Sequence, residues 1–186
     1  MGFDKSLAKI SNKYIIETLS QKLFEVFDTV KLSAVSKEKF NMFDLEVVED
    51  ILKGKGPSGA IHTVLSQATT KYVFVVACDM PFVNVEHIRF KMAMIKGKEK
   101  EGSPVDGLIP KKGELFEPLY GFYSADIAAV FEKELLKGTT KILDVIKNCN
   151  MLYLEDEYSR QFDKNLSMFT NLNYREDFDG VVKRCM

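Results

Sequence analysis

The chain has 186 residues, of which 46% are hydrophobic and 28% are charged, a balance that argues against wholesale disorder. Its 26 basic and 27 acidic side chains give a formal net charge of −1, so no basic excess points to nucleic acid or to an anionic membrane. The three cysteines and two histidines lack the spacing of a disulfide scaffold or a zinc site, and no apolar run approaches the roughly 20 residues of a bilayer span. We therefore expect a cytoplasmic protein with reduced thiols.

Strand-like and helix-like segments alternate along the chain. Apolar periodicity and β-branched runs predict, in order, helix 13–26, strand 29–35, strand 45–48, helix 60–69, strand 72–78, helix 85–98, strand 106–110, strand 118–123, helix 125–136, helix 139–147, strand 151–154 and helix 174–184. Such alternation is typical of βαβ units in a three-layer α/β/α domain with a mostly parallel sheet. No repeat or linker interrupts it, so we expect residues 1–186 to form a single domain.

The segment 72–78 is a continuous run of β-branched and aromatic residues, which predicts a strand buried on both faces. Asp79 follows it directly and precedes Pro81. Ligands of parallel sheets gather beyond the carboxyl ends of the strands, and a carboxylate there can hold Mg²⁺ together with phosphate oxygens. The alternative is that Asp79 only stabilises the turn before Pro81.

A glycine-rich stretch at 54–59 predicts a loop, followed by a helix that Ser58 caps. Backbone N–H groups of such a loop can approach a phosphate or a base, and the positive end of the next helix favours an anion. The Walker pattern G-x-x-x-x-G-K-[ST] is absent, so a P-loop kinase or ATPase is not supported. The alternative is a plain surface loop.

Nucleophilic catalysis is not supported by the remaining candidates. His62 and His87 fall within predicted helices without an evident serine or cysteine partner. Cys78 ends a strand predicted to be buried, and burial makes a thiol inert. Lys5 stands alone near the start, where an isolated lysine is ordinarily a solvated charge.

Six short motifs occur in one order along the chain. They are MGFDKSL at 1–7, VVED at 47–50, GPSGAI at 56–61, ACDMPF at 77–82, EPLY at 117–120 and TNLN at 170–173. In this order they resemble the molybdenum cofactor guanylyltransferase (MobA) family, within the nucleotidyltransferases of the sugar-nucleotide pyrophosphorylase fold. The resemblance implies a Rossmann-like nucleotidyltransferase fold.

The same resemblance implies a reaction and a set of site residues. The terminal phosphate of molybdopterin would attack the α-phosphate of GTP, giving the guanine dinucleotide cofactor and pyrophosphate, with Mg²⁺ held by Asp79. Lys5 would neutralise triphosphate oxygens. The residues implied on the nucleotide side are Lys5, Ser33, Asp50, Gly56, Pro57 and Asp79. Those implied on the pterin side are Asn171, Asn173 and, more weakly, Lys141. GTP and molybdopterin are the implied partners, with neither nucleic acid nor membrane among them.

One departure from the family is large, because its L-A-G-G-x-[ST]-x-R element does not precede Met1. In the family this element supplies the first strand, in the middle of the sheet, and the glycine turn around the nucleotide. We expect an in-frame segment upstream of Met1 to encode it, since its absence would leave ladder groups of both neighbouring strands unpaired. Two alternatives stay open. One is a non-catalytic homologue that binds a molybdoenzyme precursor or another cofactor-assembly protein. The other is a related nucleotidyltransferase with a different nucleotide or acceptor.

Overall fold

The computed structural model describes residues 7, 9–10 and 12–172. The strands of this part are β1 Lys9–Ile10, β2 Lys13–Tyr14, β3 Lys31–Ala34, β4 Glu46–Glu49, β5 Tyr72–Val76, β6 Gly107–Lys112, β7 Leu115–Phe116, β8 Tyr120–Ser124 and β9 Met151–Leu154. The α-helices are α1 Ile15–Phe24, α2 Gly56–Ser66, α3 Val85–Lys100, α4 Ala128–Leu136, α5 Ile142–Val145 and α6 Asp156–Ser159. The predicted helix 174–184 lies outside the described residues. No described helix has the length and hydropathy to cross a membrane.

The strands form two separate sheets and one small hairpin. β3 and β4 pair in parallel, with Ser33 opposite Val48. The larger sheet runs β5, β8, β6 and β9, with β7 paired to the end of β6, and the hairpin consists of β1 and β2. In the larger sheet β9 is parallel to β6, but β8 is antiparallel to both β5 and β6.

The prediction of a mostly parallel sheet is therefore correct for two strand pairs and wrong around β8. Parallel pairing needs a crossover of a dozen or more residues, and the chain between β6 and β8 is too short to provide one. It turns instead at Gly113, whose φ of +60° suits glycine. β8 consequently returns against β6.

Helices cover both faces of the larger sheet, as the sequence predicts. Phe122 of β8 packs in one hydrophobic cluster with Leu23 of α1 and Ile95 of α3. Its neighbour Tyr123 points to the opposite face and packs with α2 and α4, where Phe131 belongs to the same cluster. The alternation of side chains along a strand thus separates the two cores of the α/β/α layering.

Helix α2 begins earlier than the sequence predicts, at Gly56 rather than residue 60. Gly56 has a φ of +60°, which redirects the chain, and Pro57 lacks an N–H group that the first helical turn would leave unsatisfied. Ser58 is buried within the helix and donates its hydroxyl to the carbonyl oxygen of Thr140 at 2.7 Å. The prediction that Ser58 caps this helix is wrong.

Candidate active-site cleft

A cleft of about 1220 Å³ separates the two sheets. β3 lines one side of it and β5 the other, while α1 and α3 contribute to its walls along with α2. β3 is paired only with β4 and β5 only with β8, so within the described residues each strand is hydrogen-bonded along one edge. The cleft therefore lies between two strand edges that have no partner strand in the described part of the chain.

Strand β5 packs against a hydrophobic core on each face, with Phe74 on one side and Val75 on the other, as the sequence predicts. Its residues are nevertheless only partly buried. The reason is that one edge of β5 borders the cleft and has no described strand beside it. An apolar run reports the hydrophobicity of a strand, but not whether a neighbouring strand covers its edge.

The β3 rim of the cleft consists of the carboxyl ends of β3 and β4, where Ser33 and Asp50 meet. The Ser33 hydroxyl donates to Asp50 Oδ1 at 2.8 Å, and the Asp50 backbone N–H donates to the Ala34 carbonyl at 3.2 Å. Ser33 lines the cleft, while Asp50 is only 8% exposed. These two bonds hold one carboxylate oxygen in a defined direction at the end of the parallel pair.

The β5 rim, the carboxyl end of β5 and the turn after it, holds Asp79. The turn is closed by a bond from the Met80 N–H to the Ala77 carbonyl at 3.1 Å, and the Ala77 N–H donates to Leu119 at the same distance. Asp79 lines the cleft and is half-buried, and its carboxylate makes no hydrogen bond or ion pair with any described residue. Backbone bonds thus fix the turn that carries Asp79, while its carboxylate oxygens are unbonded as far as the described residues are concerned.

The first turn of α2 reaches the same cleft through Pro57, which lines it beside Ala60. Gly56 precedes Pro57 and is exposed. Lys141 is also exposed, and it follows Thr140, the acceptor of the Ser58 hydroxyl. Lys141 therefore lies close to this end of α2 but does not line the cleft.

The chain returns to the cleft at the end of its described part. Asn171 lines the cleft, and the N–H of the next residue, Leu172, donates to the carbonyl oxygen of Asp79 at 3.0 Å. Lys5 and Asn173 lie outside the described residues. The structure accordingly brings four of the sequence-predicted residues to one cleft, namely Ser33, Pro57, Asp79 and Asn171, with Asp50 bonded behind Ser33.

Among the charged residues to which the sequence assigns no role are Lys39, which lines the cleft, and Glu117, which precedes the lining residue Leu119 by two positions. Lys39 lines the cleft from the short helical turn Glu38–Phe40 that follows β3. Its position shortly after a predicted strand is the sequence feature that could have marked it as a candidate site residue. Glu117 lies just before β8, and burial raises the pKa of its carboxyl group, an effect that Lys112 partly opposes. For Glu117, the sequence feature that could have marked it as a candidate is its place in the EPLY motif.

A magnesium site fits the β5 rim by its donor chemistry. No three His, Cys, Asp or Glu side chains in residues 7, 9–10 and 12–172 are grouped so that they could hold a metal ion together. Mg²⁺, however, usually takes one or two carboxylates and completes its shell with water and phosphate oxygens. A single half-buried carboxylate that has no partner among the described residues is compatible with that mode.

Comparisons with known proteins point to one family. Residues 1–152 match the family described as MobA-like NTP transferase domain. The chain is 33% identical over 177 residues to the probable molybdenum cofactor guanylyltransferase of Peptoclostridium acidaminophilum, which covers 95% of this chain and 80% of that relative. It is 34% identical over 179 residues to the molybdenum cofactor guanylyltransferase of Syntrophotalea carbinolica, covering 96% of this chain and 83% of the relative.

Solved structures agree with the sequence relatives. The structure of molybdopterin-guanine dinucleotide biosynthesis protein A from Archaeoglobus fulgidus superposes with a TM-score of 0.81 at 28% identity, covering 99% of this chain and 91% of that one. The 2-C-methyl-D-erythritol 4-phosphate cytidylyltransferase of Thermus thermophilus superposes with a TM-score of 0.67 at 10% identity, covering 97% of this chain and 93% of that one. The second likeness shows a shared nucleotidyltransferase fold.

Proposed function

This chain belongs to the MobA-like NTP transferase family, and we propose that it transfers the guanylyl group of GTP to molybdopterin in the cytoplasm. A phosphate oxygen of molybdopterin forms a bond to the α-phosphorus of GTP, the bond from that phosphorus to the bridging oxygen breaks, and pyrophosphate leaves. The observation that carries the proposal lies at the two rims of the cleft, where the carboxyl ends of the strands bring Asp79 from one sheet near Ser33 from the other, with Asp50 bonded behind Ser33.

On the nucleotide side, Ser33 and Asp50 face the base. A carboxylate is an acceptor only, so Asp50 suits the neighbouring N–H and amino groups that guanine presents along one edge. The Ser33 hydroxyl orients that carboxylate at 2.8 Å. Cytosine offers a single amino donor beside an acceptor nitrogen, so a buried carboxylate selects against CTP by leaving groups unpaired.

On the phosphate side, Asp79, Lys5 and the start of α2 act on the triphosphate. Asp79 holds Mg²⁺, which when bound neutralises charge on the reacting phosphates. Lys5 neutralises further phosphate oxygens, and Gly56 and Pro57 open a helix whose first N–H groups favour an anion. Transfer of this kind depends on positioning and charge stabilisation rather than on a covalent intermediate with the protein.

On the acceptor side, Asn171 and Asn173 contact the pterin substrate, and Lys141 is the weaker candidate for its phosphate. Support for Asn171 comes from its place in the cleft and from the bond that joins Leu172 to Asp79. Lys141 has support only from its proximity to the start of α2 through Thr140.

The organisation of residues 1–186 as a single domain is also a proposal, together with a further strand between β3 and β5. Its support is the apolar cleft and the two strand edges without a described partner. A strand in that place would pair with both edges and join the two sheets. Urea unfolding of the whole chain, followed both by far-UV circular dichroism and by tyrosine fluorescence, tests the single domain: coincident transitions support it, and two separate transitions contradict it.

The experiment for the function is pyrophosphate release by the purified chain with molybdopterin, Mg²⁺ and each of GTP, CTP and ATP. We expect release with GTP well above the other nucleotides. Clear preference for CTP would instead identify a related nucleotidyltransferase. Tight GTP binding without any release would favour the non-catalytic homologue.

A further inference from the structure

The last described segment of the chain, residues 156–172, which we call the C-terminal arm, packs against the start of α3. Two side chains of that helix region hold it by polar contacts. Asn84 donates from Nδ2 to the carbonyl oxygen of Phe162 at 3.1 Å, and His87 Nε2 lies 3.1 Å from the Ser159 hydroxyl. Farther along the arm, the Leu172 N–H reaches the Asp79 carbonyl at 3.0 Å.

Two further polar groups of Asn84, its side-chain Oδ1 and its backbone N–H, connect it to other parts of the fold. Its Oδ1 accepts from the His87 backbone N–H at 3.0 Å, which caps α3. Its backbone N–H donates to the hydroxyl of Tyr120 on β8 at 3.0 Å. Asn84 is the last residue of the segment 79–84, which links the Asp79 turn to α3. Through its hydrogen bonds, this one residue therefore connects that segment to α3, to β8 and to the arm.

His87 supports the same contact from a fully buried position. Its ring lies against Tyr120 and Phe169, with ring centroids 5.8 and 6.0 Å apart respectively. Burial, with a smaller contribution from Lys91, lowers the pKa of His87 to about 3, so the imidazole is neutral near pH 7. A neutral ring can exchange a hydrogen bond with Ser159 without bringing a charge into the core.

We propose that the partly buried Asn84 and the buried His87 form a clamp that fixes the C-terminal arm against the Asp79 turn and thereby sets the position of Asn171 in the cleft. This inference rests on the proposed function, since Asn171, the residue that the clamp positions, is proposed to contact the pterin substrate. Apolar packing of Met168 and Phe169 alone would hold the arm to the core without selecting one register along it. The hydrogen bonds to Phe162 and Ser159 are directional, so they select that register.

The first experiment measures hydrogen exchange in the whole protein carrying Asn84→Ser. Serine retains an oxygen that can cap α3, but it is too short to reach the Phe162 carbonyl. We expect the Leu172 amide to exchange roughly tenfold faster, as expected for a lost hydrogen bond, while the amides of α3 keep their protection. Ser159→Ala, which removes the partner of His87, should act in the same direction.

The matched control is Ser124→Ala, which removes another capping bond, to the Asp126 N–H, at a site outside the arm. It should leave exchange at Leu172 unchanged. Unchanged exchange at Leu172 in Asn84→Ser, or an equal increase in Ser124→Ala, overturns the clamp. Since exchange is measured without substrates, this result stands even if the chain proves not to transfer guanylyl groups.

The second experiment compares the two KM values of Asn84→Ser. A positioning role predicts that the KM for molybdopterin rises about tenfold while the KM for GTP stays the same, because only the acceptor side shifts. Faster exchange at Leu172 with an unchanged molybdopterin KM overturns the positioning role. Equal rises in both KM values do so as well, since they indicate a general loss of structure.

Discussion

On the β3 rim of the cleft, Asp50 is buried and already accepts a hydrogen bond from Ser33, whereas on the β5 rim Asp79 is half-buried and its carboxylate meets no described partner. Both aspartates follow a strand, and the sequence alone does not distinguish them. Their surroundings suit different ligands. A carboxylate with one oxygen fixed is prepared for a directional hydrogen bond, and one with both oxygens available is prepared for a cation.

The supports below the two rims differ as well. The β3 rim belongs to a two-stranded sheet, while the β5 rim is joined to a larger one. Near the latter lies Lys91, which is fully buried and donates to the Tyr120 carbonyl at 2.6 Å. Its Nζ lies 4.1 Å from the ring centroid of Tyr120 and 4.7 Å from that of Phe74. The β5 rim is thus built on a deep and partly polar core.

Asp79→Asn is the change expected to have the largest effect. If Asp79 holds the metal ion, turnover should fall by at least about a hundredfold, whereas stability should hardly change because no described side chain depends on that carboxylate. Pyrophosphate release and thermal melting measure the two quantities. Asp144→Asn, at an exposed carboxylate on α5, is the control, and normal turnover in Asp79→Asn would remove the metal assignment.

Lys91→Met tests the core below the β5 rim. Burial lowers the pKa of the Lys91 amine well below its ordinary value of 10.5, so the unfolded chain binds a proton that the folded chain excludes. Stability of the native protein should therefore rise with pH, by up to about 1.4 kcal/mol per unit, between that lowered pKa and 10.5.

Urea unfolding of both proteins from about pH 7 to about pH 9.5 measures this slope. In Lys91→Met, the free energy of unfolding should no longer show the part of its pH dependence that comes from Lys91. At the lower pH, the free energy of unfolding of the variant should equal or exceed that of the native protein. Identical slopes in the two proteins would show that Lys91 is charged in the folded state.

Lys5→Ala separates binding of the triphosphate from binding of the base. A lysine that neutralises phosphate contributes to GTP affinity but not to guanosine affinity, so we expect roughly a tenfold loss for GTP alone. Titration calorimetry with both ligands measures it. Equal losses for GTP and guanosine would exclude contact between Lys5 and the phosphates.

Ser33→Ala should have the smallest effect of the four. It removes one hydrogen bond to Asp50 and so should weaken GTP binding by about 1 kcal/mol, or fivefold, with a slight loss of stability. Binding of inorganic triphosphate, measured in parallel, should not change. A loss shared by GTP and triphosphate would place Ser33 on the phosphate side instead of beside the base.

Local sequence signals predicted the elements well where one strong pattern dominates. Strand 151–154 matches β9, and the predicted helix over 85–98 nearly coincides with α3 at Val85–Lys100. The sequence places the start of α2 too late, because a glycine followed by a proline is typical of a loop, whereas here Gly56 and Pro57 form the first turn of the helix. The predicted helix 139–147 is longer than the observed α5, Ile142–Val145, because the apolar periodicity of the sequence extends beyond the single hydrogen-bonded turn.

The sequence by itself determined the alternation of helices and strands and the positions of Ser33, Asp50 and Asp79 at strand ends, because apolar periodicity and turn residues act over a few neighbouring positions. Only the tertiary structure decided that β8 pairs with the distant β5, that the other edge of β5 borders an open cleft and that the Leu172 N–H is hydrogen-bonded to the Asp79 carbonyl. Those features depend on which distant segments pack together, and no local pattern in the chain records that choice.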